Sequence, residues 1–415
     1  MAKNVIVIGG GAAGMLASLF AARAGARVTL IERNEKLGKK VYITGKGRCN
    51  VTNAAEREEF MRHILRNPRF MYASLAAIDN FGIMDLIESL GVPLKTERGE
   101  RVFPESDKAN DINRALEREL QRLHVDVRLN TRANSLIVDG GGSCVGTFTD
   151  RGEFRGESVI VCTGGVSYPL TGSTGDGHAF ARDLGIQVTD LVPALVPINT
   201  VEKWTSPLTG LSLKNVALRA YNGKKRIFSE QGEMLMTHFG ISGPLVLTLS
   251  SLLPKDLSNV RLSIDLKPAL DDATLDARLV RELRENSRRS IASIMDSLTP
   301  HNLGLTILEL ADISPNTPAN AITQGQRTAI RLLLKDLPLT PASLRGFDEA
   351  IITRGGVSVK EINPSTLESR KVPGLYFAGE VLDVDATTGG FNLQIAWSTG
   401  ALAGRSAAGA AIPTA

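Results

Sequence analysis

The sequence contains few cysteines and histidines, and neither type is grouped. Its 415 residues include 3 Cys and 5 His. Cys49, Cys144 and Cys162 form no CxxC pair, and no two histidines stand at HxxxH spacing. Disulfide frameworks and zinc sites require grouped thiols and imidazoles. We therefore predict no disulfide and no metal, and free thiols of this kind suit a reducing cytoplasm.

The sequence also lacks a long apolar run of the roughly 18 residues that a membrane span needs. Its start, Met-Ala-Lys-Asn, leads directly into a short apolar segment without the features of an export signal. Hydrophobic residues make up 43% and charged residues 22% of the chain, as in soluble globular proteins. We expect a soluble, cytoplasmic protein of about two or three domains without a membrane partner.

Charge is only mildly unbalanced. The formal net charge is +4 and the isoelectric point is near 8.9. This excess permits an anionic partner without requiring one.

The first 33 residues carry the strongest motif. Val5 to Ile8 is a continuous apolar run typical of a buried parallel strand. Glycines then follow at GxGxxG spacing, and the Ala-rich segment from Ala12 to Ala24 predicts a helix. A second strand, Val28 to Ile31, ends at Glu32, whose carboxylate can accept hydrogen bonds from an adenosine ribose. This unit predicts a dinucleotide site, but its spacing alone does not distinguish FAD from NAD.

Three later stretches favour FAD. Residues 36–53, KLGKKVYITGKGRCNVTN, indicate a basic, glycine-rich loop wrapped on a ligand, with a solvated loop as the alternative. Residues 158–185 give a strand, Val159 to Cys162, that ends in Thr-Gly-Gly but completes no second GxGxxG unit. A separate NAD(P)H domain is therefore not evident.

The third stretch, residues 372–407, returns the chain to the cofactor. A strand from Leu375 to Ala378 meets Gly379-Glu380, and a helix is expected from about Phe391 to Ala403. A carboxylate at the strand end suits ribityl hydroxyls, and a helix N-terminus stabilises negative charge on a flavin. The alternative is a helix that only closes the core.

These motifs together resemble the BaiN-like flavoproteins, a bacterial family that includes aminoacetone oxidase family enzymes and 3-dehydro-bile acid reductases. The resemblance rests on GGGAAG, TGKGRCNVTN, TGGVSYPLTGSTGDG, THFGISGP and GLYFAGEVLDVDATTGGFNLQ in this order, and it spans essentially the whole chain. It implies an FAD-dependent oxidoreductase. Lys46 departs from the pattern, since many relatives have Gly in that turn.

Motifs and resemblance together predict a set of cofactor-binding residues. They are Gly9, Gly11, Ala13, Gly14, Glu32, Arg33, Lys39, Lys40, Gly47, Arg48, Cys49, Asn50, Ala133, Thr163, Gly164, Gly379, Glu380, Asp383, Phe391, Asn392 and Leu393.

The resemblance also implies a fold of the α/β class. It is a glutathione-reductase-like, Rossmann-type FAD-binding domain interrupted by a small β-barrel and a helical subdomain. Short β-rich runs between Leu191 and Leu266 and helical texture from Asp271 to Leu337 support this insertion. The predicted parts are the FAD domain at 1–190 and 367–415, the barrel at 191–270 with return strands at 341–366, and the helical insert at 271–340.

One helix of the insert carries an arginine stripe. Arg278, Arg281, Arg284 and Arg288 recur at three- and four-residue spacing on one face. Over residues 271–340, however, eight Lys and Arg stand against nine Asp and Glu, which favours a solvated face over an RNA track.

The expected chemistry is two-electron transfer from NADPH or NADH through FAD to an unsaturated acceptor. Cys49, Tyr168, His238 and Asp383 are the candidate proton donors, although each has a purely structural alternative. The acceptor stays open between uridine in ribosomal RNA, reduced to dihydrouridine, and a small molecule such as an enone or an amine. Two rival classes are a flavin-free NAD-dependent dehydrogenase and an RNA-binding flavoprotein without turnover.

Overall fold

The computed structural model describes residues 2–410, in which the chain divides into two compact units. The first unit comprises the described residues up to Ala194 and those from Phe347 onward. The second unit is Leu195–Gly346.

The described residues form twenty strands and thirteen α-helices. The strands are β1 (Asn4–Ile8), β2 (Arg27–Ile31), β3 (Thr52–Asn53), β4 (Leu94–Glu97), β5 (Arg101–Pro104), β6 (Asp126–Arg128), β7 (Ala133–Val138), β8 (Cys144–Thr149), β9 (Gly152–Arg155), β10 (Ser158–Val161), β11 (Val192–Ala194), β12 (Ile198–Thr200), β13 (Ser212–Asn222), β14 (Lys225–Thr237), β15 (Gly240–Ser242), β16 (Val260–Asp265), β17 (Leu337–Leu339), β18 (Pro341–Leu344), β19 (Ile352–Arg354) and β20 (Leu375–Phe377). The helices are α1 (Ala12–Arg23), α2 (Lys39–Ile43), α3 (Arg57–Arg62), α4 (Tyr72–Ala77), α5 (Asn80–Ser89), α6 (Ala109–Arg122), α7 (Asp176–Asp183), α8 (Pro244–Leu252), α9 (Asp272–Glu285), α10 (Ile291–Met295), α11 (His301–Leu310), α12 (Gln324–Lys335) and α13 (Phe391–Ala408).

A five-stranded parallel sheet organises the first unit, in the order β20-β10-β1-β2-β6. Its central strands are buried, apolar and β-branched, because helices cover both faces of a parallel sheet. The meander β7-β8-β9 and the sheet β3-β5-β4 are appended to this core. The carboxyl ends of β1, β2, β10 and β20 therefore meet at one edge, where doubly wound folds bind their ligands.

Small residues bring the C-terminal helix against the first helix. A Cβ at Gly400 would lie 2.3 Å from the Ala13 carbonyl oxygen, and one at Gly404 would lie 2.2 Å from that of Ala17. Only glycine permits so close an approach of two helix backbones. The contact fixes α13 along α1, so that both helix N-termini lie at the ligand edge of the sheet.

The second unit combines a seven-stranded antiparallel sheet with helices α8 to α12. The sheet order is β17-β16-β13-β14-β15-β12-β18. Its two edge strands are separated in sequence only by Thr340, so the sheet curls until its edges approach each other. Leu218, Leu262 and Ile264 of the strands and Leu275 and Ile307 of the helices share one buried core.

Two local predictions are wrong. Of the predicted return strands at 341–366, β18 does join the barrel sheet, but the stretch 353–366 does not, because β19 pairs with β11 in the first unit and is followed by Gly355 and Gly356, both with positive φ. The other edge of the barrel sheet is β17, which lies within the predicted helical insert. The loop 36–53 also contains a short helix, α2, which begins after left-handed Gly38 and buries Val41.

One helical stretch, Pro68–Ser89, is by length and composition long and apolar enough to cross a membrane. It is not one continuous helix, because Ile78 is extended and Asp79 caps a new helix by accepting from the Gly82 amide. Over half of its most apolar window is buried, and Phe70, Met71 and Ile83 belong to the core of the first unit.

Candidate functional site

A long groove follows the ligand edge of the first unit's parallel sheet. Its empty volume, including the open mouth, is about 1340 Å³. Its lining residues come from the glycine loop, helix α2, the strand ends and the start of α13. They are Ile8, Gly9, Gly11, Ala12, Ala13, Ile31, Glu32, Arg33, Asn34, Lys39, Lys40, Val41, Thr44, Thr131, Arg132, Ala133, Cys162, Thr163, Gly164, Thr171, Gly172, Ser173, Asp176, Phe180, Ile351, Ile352, Thr353, Gly379, Glu380, Val384, Asn392, Leu393, Ile395 and Ala396.

The glycine loop has the geometry that a pyrophosphate requires. A Cβ on Gly14 would lie 1.8 Å from the Gly9 carbonyl oxygen, whereas a Cβ on Gly11 would meet no atom within 4 Å. Gly14 is thus needed for packing, and Gly11 leaves open space on the groove side. Gly11 caps α1 without a side-chain hydrogen bond, so the first-turn amides are available to an anion.

Glu32 is held rigidly at one end of the groove. Its Oε2 accepts from the Gly10 amide at 2.7 Å, and its Oε1 accepts from the amide and the side chain of Asn34 at 2.8 and 2.7 Å. The side chain is buried but lines the groove. Its remaining lone pairs suit the hydroxyl groups of an adenosine ribose.

Two arginines and an aspartate border the same end, and sequence reasoning missed two of the three. Arg132 donates to both carboxylate oxygens of Asp176 at 3.1 and 3.2 Å, and Arg33 lies 3.4 Å from Asp176. Arg33 also donates to Thr174 Oγ1 at 2.6 Å. These residues lie far apart in sequence, so only the fold brings them together beside Glu32.

Farther along the groove, Lys40 and Glu380 form a partly buried ion pair. The Lys40 ammonium lies 2.6 Å from Glu380 Oε2 and donates to Ser167 Oγ at 2.6 Å. Glu380 Oε1 accepts from Ser167 Oγ and from the Thr353 amide. Burial by itself would raise the pKa of Glu380, but Lys40 and these hydrogen bonds outweigh it and lower the pKa. Glu380 is therefore an anionic acceptor at neutral pH.

The N-terminus of α13 closes the far end of the groove. Gly390 caps the helix in a left-handed conformation without a side-chain hydrogen bond, and Asn392 and Leu393 line the groove. The Asn392 side chain instead holds the preceding loop by bonding the backbone of Ala386 and Thr387. The helix thus presents amide groups and a positive dipole end to a bound ring.

The residues of this groove fit FAD. Thr163 Oγ1 is buried, lines the groove and has no hydrogen-bond partner within residues 2–410, as expected where a ligand supplies the partner. Along the groove, Glu32 lies where the ribose would bind, the open space at Gly11 lies where the pyrophosphate would bind, and the N-terminus of α13 lies where the flavin would bind.

Of the predicted cofactor residues, fourteen line the groove. They are Gly9, Gly11, Ala13, Glu32, Arg33, Lys39, Lys40, Ala133, Thr163, Gly164, Gly379, Glu380, Asn392 and Leu393. Gly14, Gly47, Arg48, Cys49, Asn50, Asp383 and Phe391 do not line it. Arg48 instead pairs with Glu97 and Asp107, because the end of β4 and the loop after β5 carry these acids beside its guanidinium.

None of the four candidate proton donors lines the groove. Cys49 is fully buried, and burial raises the pKa of its thiol to about 12, which makes it a core residue. Tyr168 lies in a left-handed turn and donates its amide to the Phe347 carbonyl. His238 belongs to the second unit, where it packs edge-on against Phe239. Asp383 is buried beside the groove segment that contains Val384.

The second unit exposes basic side chains. Arg278 of the predicted stripe pairs with Glu282 and donates to the Ser297 carbonyl. Arg281, Arg284 and Arg288 are exposed and have no ion pair in the described part of the chain. Lys224 and Lys225, at the turn between β13 and β14, are exposed as well.

Comparison with known proteins agrees with this architecture. A family model described as HI0933-like protein Rossmann domain matches residues 3–406. The 3-dehydro-bile acid delta(4,6)-reductase of Clostridium scindens is 34% identical, over 98% of this chain and 99% of that protein. The ribosomal RNA dihydrouridine synthase of Escherichia coli is 32% identical, over 95% of this chain and 96% of that protein. The 3-ketosteroid-delta4-(5alpha)-dehydrogenase of Rhodococcus jostii RHA1 shares the fold, with a TM-score of 0.54 at 17% identity over 98% of this chain and 97% of that chain.

Proposed function

The chain belongs to the HI0933-like protein Rossmann domain family and is an FAD-dependent oxidoreductase, and from this premise we propose that it reduces a carbon–carbon double bond conjugated to a carbonyl group, with NAD(P)H as the reductant. The observation that carries the proposal is the groove itself. It runs from Glu32 to the N-terminus of α13 and offers one dinucleotide site in the first unit.

The two full-length relatives described above have names that share one kind of chemistry. A delta(4) double bond beside a 3-oxo group is an enone, and dihydrouridine arises when the double bond of a uracil ring is reduced. In both acceptors a carbonyl polarises the double bond, so that hydride adds to one carbon and a proton to the other. The common chemistry supports the reaction class without choosing the acceptor.

Bound FAD supplies two-electron transfer between a reduced nicotinamide and the acceptor. The chain's contribution is electrostatic. The dipole and first-turn amides of α13 favour negative charge at the groove end, and the Lys40 ammonium keeps Glu380 ionised as a hydrogen-bond acceptor. Ile352, Val384 and Ile395 provide apolar walls that limit water.

We favour uridine in ribosomal RNA as the acceptor. Lys224, Lys225, Arg281, Arg284 and Arg288 are exposed and form no ion pairs within residues 2–410. Each cation that contacts a phosphate increases affinity and its dependence on salt. Two groups of such cations on one unit offer contacts to RNA phosphates, which is what supports this choice.

Nucleoside analysis tests this choice. Holoenzyme with NADPH and unmodified ribosomal RNA should convert uridine to dihydrouridine, seen by mass spectrometry as a gain of two hydrogens. The triple variant Arg281→Gln, Arg284→Gln and Arg288→Gln should lower this yield at least tenfold while it leaves reduction of a small enone unchanged. Equal loss on both acceptors, or no dihydrouridine with wild-type protein, would reject the RNA assignment.

A small enone is the second candidate, favoured by apolar side chains at the groove mouth. Ile351 lines the groove and is 38% exposed, and Leu170, next to the lining residue Thr171, is 91% exposed. Exposed apolar groups beside a cofactor groove suit a flat hydrophobic acceptor. Leu170→Ser should then raise KM for a fused-ring enone several-fold with kcat little changed; an unchanged KM would remove this candidate.

A further inference from the structure

A buried cluster of opposite charges lies directly behind the groove wall of the first unit. Asp383 and Asp385 stand two residues apart in a loop, where Asp383 lies in a bend and the Val384 amide donates to the Leu382 carbonyl, and Val384 between them lines the groove. Arg66 bridges the two carboxylates, with its Nε 3.6 Å from Asp383 Oδ1 and 3.4 Å from Asp385 Oδ1. Arg354 of β19 is buried beside them.

The carboxylates of this cluster are poorly satisfied. Asp385 is 2% exposed, and neither of its oxygens has a hydrogen-bond partner within residues 2–410; Asp383 Oδ1 has none either. An ionised carboxylate in such a site loses its hydration without full compensation, which costs more than for a neutral group. A proton on the pair removes one charge and provides a donor for a vacant oxygen.

The cluster reaches solvent on one side and lies behind the groove wall on the other. Arg66 is 42% exposed, so its side of the cluster reaches water. The amides of Leu65 and Arg66 donate to the Asp385 carbonyl, and Asn67 donates to that of Asp383, which ties this segment to the chain after α3. The same segment continues into Asn392 and Leu393 at the α13 N-terminus. The pair therefore flanks Val384 in sequence, and Val384 lines the groove.

We propose that Asp383 and Asp385 form a proton-holding pair that supplies the proton consumed when the double bond is reduced, with Arg66 as its contact with solvent. This inference rests on the proposed function. The net reaction converts NAD(P)H, one proton and C=C into NAD(P)⁺ and CH–CH. The hydride provides both electrons and one hydrogen, and the pair provides the other hydrogen and regains a proton from water on the Arg66 side.

The surrounding charges are consistent with this role. Burial and, to a smaller extent, the neighbouring Asp383 raise the pKa of Asp385 to about 6, while Arg66 and Arg354 oppose the shift. Burial also raises the pKa of Asp383, although the effects of Arg66, Thr189, Asn67 and Arg354 lower it. His63 faces the neighbouring Thr387 at 2.8 Å and stacks on Phe391. The pair thus changes its proton content in the pH range where a general acid is effective.

Infrared difference spectroscopy of the holoenzyme tests whether the proton is held. Wild-type protein should show the carbonyl stretch of a protonated carboxylic acid that disappears as the pH rises through about 6. Asp385→Asn should remove this band. A surface control, Glu59→Gln, removes an acid that, among residues 2–410, pairs with Arg62 and His63 alone and should leave the band unchanged. Absence of a titrating band in wild-type protein would overturn the proposal, whether or not the variant folds.

The pH profile of acceptor reduction tests whether that proton is used. Since the pair holds its proton below its pKa, the wild-type rate should fall as the pH rises above about 6. Asp385→Asn should react at least tenfold more slowly at pH 6 and lose this dependence, so that the two rates approach each other at pH 8. Unchanged rate and profile in the variant would overturn the role. If the wild-type protein reduces no conjugated acceptor, the proposed function is overturned as well. If the wild-type protein reduces such an acceptor but shows no titrating carboxylic-acid band, only the proton-holding pair is overturned.

Discussion

The Lys40–Glu380 pair allows a quantitative test of the electrostatics of the groove. Lys40→Met removes the ammonium 2.6 Å from Glu380 Oε2, and the two side chains are only 23% and 20% exposed. Removing one partner of a buried pair costs about 3–5 kcal/mol. Because this pair is partly exposed and Glu380 keeps its bonds from Ser167 and the Thr353 amide, we expect about 2 kcal/mol at pH 7.

The way in which the free energy of unfolding changes with pH gives a sharper test. In wild-type protein the pKa of Glu380 is lowered, so its ionisation stabilises the fold above the unfolded pKa, and this stability is lost as the pH falls through the lower folded value. Without Lys40, burial dominates and raises the pKa. The variant should then lose stability as the pH rises from about 4 to 7.

Tryptophan fluorescence can follow the first unit alone. The chain has 2 Trp, and Trp204 belongs to the second unit, whereas Trp397 is buried in the first and donates to the Val51 carbonyl. Urea unfolding in a Trp204→Phe background would therefore report the unit that contains the pair. Lys108→Met, at an exposed lysine without an ion pair in residues 2–410, is the control.

A double-mutant cycle completes the experiment. Lys40→Met and Glu380→Gln should show a coupling energy of about 1–2 kcal/mol at pH 7, because the double variant leaves no unpaired charge. The reasoning would be refuted if the losses in the free energy of unfolding of the two single variants added up to that of the double variant. It would also be refuted if Lys40→Met lowered the free energy of unfolding equally at pH 4 and pH 7.

Other predictions follow from the glycine loop, the carboxylate pair and the basic surface. Gly11→Ala should fold with unchanged Tm but bind FAD at least tenfold more weakly in fluorescence titration, whereas Gly14→Ala should unfold at lower temperature because its Cβ would lie 1.8 Å from the Gly9 oxygen. Gly140→Ala, with open space around it, is the control. Equal FAD affinity of Gly11→Ala and wild type would contradict the loop's role. The raised pKa of Asp385 means that the folded state keeps a proton that the unfolded state loses, so wild-type stability should fall by up to about 3 kcal/mol between pH 4 and 6, and Asp385→Asn should abolish this part of the fall in urea titrations. Replacing Arg281, Arg284 and Arg288 with Gln should reduce the salt slope of RNA binding by up to about 3 in a filter assay, and an unchanged slope would show that these side chains do not contact phosphate.

Local patterns predicted the cofactor unit well. The strand Asn4–Ile8, the helix Ala12–Arg23 and the position of Glu32 follow from short-range apolar periodicity and glycine spacing. The family resemblance gave the insertion, and the second unit indeed contains antiparallel strands followed by helices α9 to α12. The closing strand Leu337–Leu339 was missed because it is short and contains proline, whereas Pro341–Leu344 lies within the predicted return strands.

Features made by long-range contacts were not predictable. Arg132 and Asp176 are 44 residues apart and meet only beside the groove. Asp385 shows no special sequence pattern, yet the fold buries it against Arg66, more than 300 residues earlier in the chain. Burial and orphaned hydrogen-bonding atoms, which single-sequence patterns do not encode, identify such residues.

Anaerobic absorbance spectroscopy tests the central claim most directly. Purified protein should carry the yellow bands of oxidised FAD, lose them on addition of NADPH, and regain them in the absence of oxygen when ribosomal RNA precursor is added. Recovery with an enone but not with RNA would keep the reductase and move its acceptor to the small-molecule class. A protein whose yellow bands persist with both NADPH and NADH, or return with neither acceptor, would contradict the account.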